Sequence, residues 1–169
     1  MTRCTDVGVL RRAAGTLAHV ATILDLPVIG SVVPAGPEGA SELIGEIREQ
    51  LPLMPVFMRY TASAWADQVS QAAVRGTGRP ILGICGVATE VVVLHTALQA
   101  QAAGYGVRVI IDACGGFSTR TEDAAIRQME ALGVVVTSVA SFATEMVSKL
   151  GSPEHGPGPI IPAIYNMAG

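Results

Sequence analysis

Apolar positions recur along the chain with two alternating periods. Val7, Leu10, Ala14, Leu17, Ala21 and Leu24 stand at helical spacing, which predicts a helix over residues 7–25. Thr5 or Asp6 is placed to cap it, because a short polar side chain there accepts from the free amides of the first turn. Pro27 to Val33 is a β-branched run and reads as a strand, and Gly36-Pro37-Glu38-Gly39 as a loop. Leu43, Ile44, Ile47 and Leu51 form an apolar stripe opposite Glu42, Glu46, Arg48 and Glu49, so residues 40–50 read as a surface helix. Pro55 to Arg59 reads as a short strand, and residues 66–75 as a helix ended by Gly76-Thr77-Gly78. Pro80 to Cys85 is the next strand, followed by a long helix capped by Thr89 and running to about Gly104. Val107 to Asp112 and Val134 to Thr137 read as strands, Thr121 to Leu132 and residues 139–149 as helices.

Strands alternating with helices imply a parallel sheet with right-handed crossovers. The expected fold is α/β: a three-layer α/β/α sandwich with a mainly parallel, Rossmann-like sheet of about five strands and six helices. One domain is expected over residues 1–150, with an extended Pro/Gly-rich tail over 151–169. Ligands of such sheets bind beyond the carboxyl ends of the strands. That edge would carry Arg59-Tyr60, Cys85 to Thr89 and Asp112 to Gly116.

Composition narrows the class. Half the 169 residues are apolar and only 15% are charged, which excludes a disordered chain. Mean hydropathy is +0.46, so a membrane span has to be considered. The longest charge-free internal run, Val91 to Val107, contains His95, Thr96, Gln99 and Gln101 and falls short of the roughly 20 apolar residues a span needs. Arg11-Arg12 before Ala13 to Leu24 imitates a twin-arginine signal, but His19, Asp25 and Pro27 break it up. The expectation is a cytoplasmic protein with no membrane partner, its apolar excess spent on a sheet buried on both faces and on a homo-oligomer interface. The net charge of −3 carries no basic footprint for nucleic acid. Cys4, Cys85 and Cys114 are odd in number and form no CxxC pair, so no disulfide framework, metal site or cofactor is expected.

The run Gly86-Val87-Ala88-Thr89-Glu90-Val91-Val92-Val93-Leu94-His95-Thr96-Ala97-Leu98 resembles the signature of the isochorismatase-like cysteine hydrolase superfamily. Further matches resemble its YcaC-type subgroup: Asp25 to Ile29, Gly36 to Gly39, Ala64-Trp65, Thr77 to Arg79, Gly104-Tyr105, Asp112 to Ser118, and Asp123 to Ala125 with Met129. Together they span about residues 7–149 in the right order. The resemblance implies a parallel-sheet sandwich and a catalytic set of Asp, Lys and Cys that attacks small amides. In that set a Cys in the first turn of a helix becomes a thiolate, an acid relays the proton, and backbone amides hold the oxyanion.

The departures decide the functional expectation. Val92 stands at the nucleophile position and has no nucleophilic atom. Arg59 stands at the Lys position and keeps charge without serving as a proton carrier. The Asp, which the family carries at the end of a first strand ahead of the first helix, has no counterpart, and Asp6 reads as a cap. With that central strand absent, three outcomes are expected: the half-sheets pair directly, a segment such as Ile160–Tyr165 fills the gap, or another chain contributes. A natural start further upstream is a fourth reading. The chain is therefore expected to be a hydrolase homologue that is impaired or inactive, a pseudoenzyme. The rivals are an active hydrolase with a relocated thiol, Cys85 or Cys114, and a non-catalytic oligomeric scaffold. Val87, Ala88 and Val92 are the backbone candidates for an oxyanion site. Tyr60, Trp65, Cys85, Thr89, Cys114 and Phe117 are the candidates for lining a small-molecule pocket. His19, His95 and His155 lack partners at metal spacing, Glu90 reads as solvated or at an interface, and Gly115-Gly116 reads as a turn.

Overall fold

A computed structural model describes residues 6–36, 39, 41–147, 149–152 and 156–165. Cys4, Thr5, Pro37, Glu38 and His155 lie outside the described residues.

Helix α1 (Val7–Ile23) opens on Asp6, whose carboxylate accepts from the Val9 amide at 3.0 Å. Its apolar stripe buries Leu10, Ala13, Ala14, Ala18, Val20 and Ala21. Strand β1 (Gly30–Val32), helix α2 (Gly45–Gln50) and strand β2 (Val56–Met58) follow, the helix starting five residues later than the 40–50 stripe suggests. Helix α3 (Gln68–Gly76) is capped by Asp67, which accepts from Ser70. Strand β3 (Ile81–Val87) leads into a π-helical turn (Thr89–Val93), which continues as α4 (Leu94–Ala102). Strand β4 (Gly106–Gly115), α5 (Thr119–Ala131), β5 (Val135–Thr137) and α6 (Val139–Glu145) complete the alternation. Helix α6 is four residues shorter than the expected 139–149.

The strands form two parallel sheets, β1–β2 and β3–β4–β5. Among the described residues no ladder joins them, so the expected direct pairing of half-sheets does not occur. Helices cover both faces of β4. Val107, Val109 and Cys114 pack with Leu94, Ala97 and Ala100 of α4 and Ala125 and Met129 of α5. Ile110 and Ala113 pack with Ala13 and Ala14 of α1 and Val139 and Phe142 of α6.

The tail is not extended as expected. Strands β6 (Gly151–Ser152) and β7 (Gly156–Pro157) pair antiparallel, and Ile160–Tyr165 is helix α7. Ile160 and Ala163 are buried against Val20 of α1 and Ala143 of α6. The segment expected to fill a strand position is thus a helix packed on one outer layer.

Candidate functional site

The carboxyl end of β3 turns sharply at residues 86–89. Gly86 has φ +140°, a value that L side chains rarely adopt, and the Val87–Ala88 peptide is cis. The amides of Val91, Val92 and Val93 all donate to the Ala88 carbonyl, at 3.3, 2.9 and 3.3 Å. This convergence widens the first turn into a π-helical one. It also occupies the Val92 amide, one of the three backbone candidates, while the amides of Ala88 and Thr89 stay outside the ring. Val92 is half-buried, with a side chain that neither donates nor attacks.

The expected capping role of Thr89 is corrected by this geometry. Ala88 is the cap residue, and no side chain caps the turn. The Thr89 side chain is fully buried, and its hydroxyl donates 2.6 Å to the Glu122 carboxylate on α5. Glu90 is half-buried rather than freely solvated. One carboxylate oxygen accepts from the Phe117 amide at 2.8 Å and the Thr121 hydroxyl at 2.7 Å. Burial works against the Glu90 charge, but Thr121 and the amides of Phe117 and Ser118 outweigh it and hold its carboxyl below the usual range. Gly116 fits beside it because a Cβ there would meet Glu90 Oε2 at 2.7 Å. Gly115 belongs to β4, so Gly115-Gly116 is a strand end pressed against the Glu90 carboxylate and the Glu122 Cβ rather than a free turn.

Arg59 follows β2 and is 3% exposed. Its Nε donates to Ser31 Oγ at 2.9 Å, and its Nη1 donates to the carbonyls of Thr61 and, at 3.0 Å, Ala62. Burial pulls the guanidinium below its ordinary value and the Asp67 charge pulls back. An arginine so held stays charged and braces the 60–66 loop onto β1. That loop is pinned to α4 in turn: Ser63 Oγ donates to Gln99 at 2.7 Å, and the Ala64 amide donates to Thr96 Oγ1 at 3.0 Å. Trp65 is buried in the core, edge-on to Tyr105 at 5.0 Å with the Arg75 guanidinium 5.4 Å from its ring centre. Tyr60 is 80% exposed and Phe117 50%.

Both thiols lie in strands. Cys114 is buried and donates to the Ile110 carbonyl at 3.2 Å. Burial raises its thiol well above the ordinary value. Cys85 is solvent-exposed, yet the protein atoms crowding its sulfur, and then the Asp112 charge, push its thiol up to about 11. Its exposed surface argues for a smaller rise than full burial brings, and the direction is upward either way. Asp112 itself accepts from the Val139 amide at 2.9 Å and so supports the start of α6 instead of facing a ligand. His95 is exposed on α4. Among the described residues no three potential metal ligands come together. No helix among them is long and apolar enough to cross a membrane.

The geometry thus brings together Val87, Ala88, Thr89, Val92, Cys114 and Phe117 around the π turn, with Thr89–Glu122 and Glu90–Phe117 tying the turn to the start of α5, while Asp112 is turned to α6. These partners stand 27 to 33 residues apart, where no sequence period reaches. Two open depressions lie elsewhere. One of about 690 Å3 sits at the opposite edge of the sheet, lined by Leu26, Pro27, Leu51, Met54 and Thr77. One of about 460 Å3 lies over β1–β2. Neither contains Val92, Cys85 or Cys114, so neither depression lies at the π turn, where the strand ends would direct a ligand.

Residues 9–141 match the Isochorismatase domain family model. The Escherichia coli K12 protein named "Probable hydrolase YcaC" is 32% identical over 132 residues, 77% of this chain and 62% of that protein. The chain therefore spans under two thirds of that relative's length. Solved structures agree. YcaC from Pseudomonas aeruginosa, determined with hexane-2,5-diol and covalent acrylamide, superposes with TM-score 0.80 at 32% identity over 85% of this chain and 71% of that one. Escherichia coli YcaC, described as an octameric hydrolase of unknown specificity, gives 0.79 at 31% identity with the same coverage.

Proposed function

The chain belongs to the isochorismatase domain family, and from that premise we propose that it is a YcaC-like hydrolase homologue that has lost the covalent step. What remains is non-covalent binding of a small carbonyl or anionic molecule at the carboxyl edge, near the π turn and Arg59, within a self-associating protein. The observation that carries this reading is the state of the nucleophile candidates. Val92 stands where the resemblance calls for a thiolate, and the nearby thiols of Cys85 and Cys114 are both pushed up. A thiol pushed upward carries less thiolate at pH 6 than an ordinary cysteine does, and the thiolate is the attacking form. This weighs against the relocated-thiol alternative. Self-association is supported by the description of the Escherichia coli relative as an octamer, without fixing a number here.

Acrylamide is a suitable probe, because it is the group held covalently in the Pseudomonas aeruginosa relative. At pH 6, mass spectrometry of the folded chain should show no preferential adduct at Cys85 or Cys114, and small amides should not be turned over. Val92→Cys should add one fast-reacting site. Preferential labelling of a native thiol, or clear amide turnover by the unmodified chain, would overturn the reading.

A further inference from the structure

We propose that the open face of the β1–β2 sheet is a self-association surface whose occupant is the same face of a second copy of this chain. The proposal rests on the self-association reading above and names the face that performs it. It is separate from the ligand reading of the carboxyl edge.

Parallel pairing matches Gly30 with Val56 and Val32 with Met58, so these four residues share one face. At the Gly30 end this face is covered, because a Cβ there would meet Met54 at 3.1 Å and Leu43 at 3.3 Å, and the open part is that of Val56 and Met58, which are 43% and 48% exposed. Helices cover both faces of β4, whereas among the described residues none packs closely along β1–β2. A two-stranded sheet with one apolar face in water is marginal by itself and gains from a cover.

Charge selects the cover. The depression of about 460 Å3 over this face is also lined by Leu43, Glu42 and Arg48. Glu42 and Arg48 are exposed, and among the described residues neither is in an ion pair. A twofold axis through the patch sets Glu42 of each copy against Arg48 of the other, with Val56 and Met58 between them. One patch is then its own complement, which an isologous interface requires. A partner of a single charge sign would be repelled by one member of the pair.

Contact is by faces, not by strand edges. β2 has three residues, and Pro55 immediately before it offers no amide donor. Short strands and prolines block edge pairing, while the apolar face stays free.

The test is sedimentation velocity of the full chain across a dilution series. The unmodified chain should associate. Met58→Lys should shift it to monomer with an unchanged circular dichroism spectrum. Glu42→Arg and Arg48→Glu should each raise the dissociation constant about tenfold, and the double reversal should restore it. A monomeric unmodified chain overturns this proposal together with the self-association reading. An oligomer untouched by Met58→Lys and by both charge reversals leaves self-association standing and overturns this face alone. Single reversals that weaken association without rescue by the double one overturn the twofold arrangement.

Discussion

Burial raises the Asp112 carboxyl above its usual range, and the Val139 amide offsets this only in part. A folded-state value above the unfolded one favours the protonated form. The stability contributed by Asp112 is therefore fully present below the unfolded pKa and is lost as pH rises through the folded one. Asp112→Asn keeps an oxygen for Val139 and removes the charge, so at pH 7 its melting temperature should equal or exceed that of the unmodified chain. Asp112→Ala removes the acceptor as well and should cost about 1–2 kcal/mol. Thermal melts at pH 5 and pH 7 check this, and the gap between Asn and Asp should narrow at the lower pH. The carboxyl edge was legible in part at this scale. Val92 and Arg59 are read from a local run and a strand end. The role of Asp112 is not, because it depends on a bulge: from Ile84 to Gly86 β3 advances two residues, while β4 advances five, from Val109 to Cys114. An apolar run gives no sign of such an offset, which turns Asp112 toward α6 and Cys114 into the core.

Between elements, the junction of the π turn with α5 depends on Glu90 and Thr89, whose partners Phe117, Thr121 and Glu122 all belong to the start of α5 or the corner before it. The Glu90 carboxyl is held below its usual range, so its contribution has the opposite sign to that of Asp112. It is present above the unfolded pKa and is lost as pH falls through the folded one. Glu90→Ala should cost about 1–3 kcal/mol at pH 7, a drop of several degrees in melting temperature. The same comparison near pH 3 should show a smaller difference, and an equal difference there would remove the charge from the explanation. Most helices were legible because their signals are local: Asp6 caps α1 by one hydrogen bond to Val9. Helix α7 was missed although Ile160, Ala163 and Ile164 stand at helical spacing, because the surrounding Pro and Gly suggested extended chain. The π turn was missed because three amides sharing one carbonyl leave no mark in the sequence.

At the scale of the molecule, the parallel sheet divides into β1–β2 and β3–β4–β5. Of the three expected ways to close that division, direct pairing does not occur among the described residues, and Ile160–Tyr165 is a helix. Of those three, a strand from another chain stays open, beside the fourth reading of a start further upstream. The Gly106 amide donates to the Pro80 carbonyl at 2.9 Å. In a parallel ladder, alternate residues bond to the same neighbour. Leu82 and Ile84 therefore share the Pro80 side, and Ile81 and Gly83 turn their amides to the free edge. Buried without partners, such groups would cost about 1–3 kcal/mol each. Here Ile81, Gly83, Cys85 and Val87 are all exposed, so water satisfies the edge. Hydrogen exchange distinguishes the two states of this edge. In dilute chain the amides of Ile81 and Gly83 should exchange quickly while those of Leu82, Ile84 and Val109 are protected. Protection of Ile81 and Gly83 that grows with protein concentration identifies a strand supplied by a second chain. Protection independent of concentration contradicts the divided sheet itself, because it requires a partner for β3 within one chain.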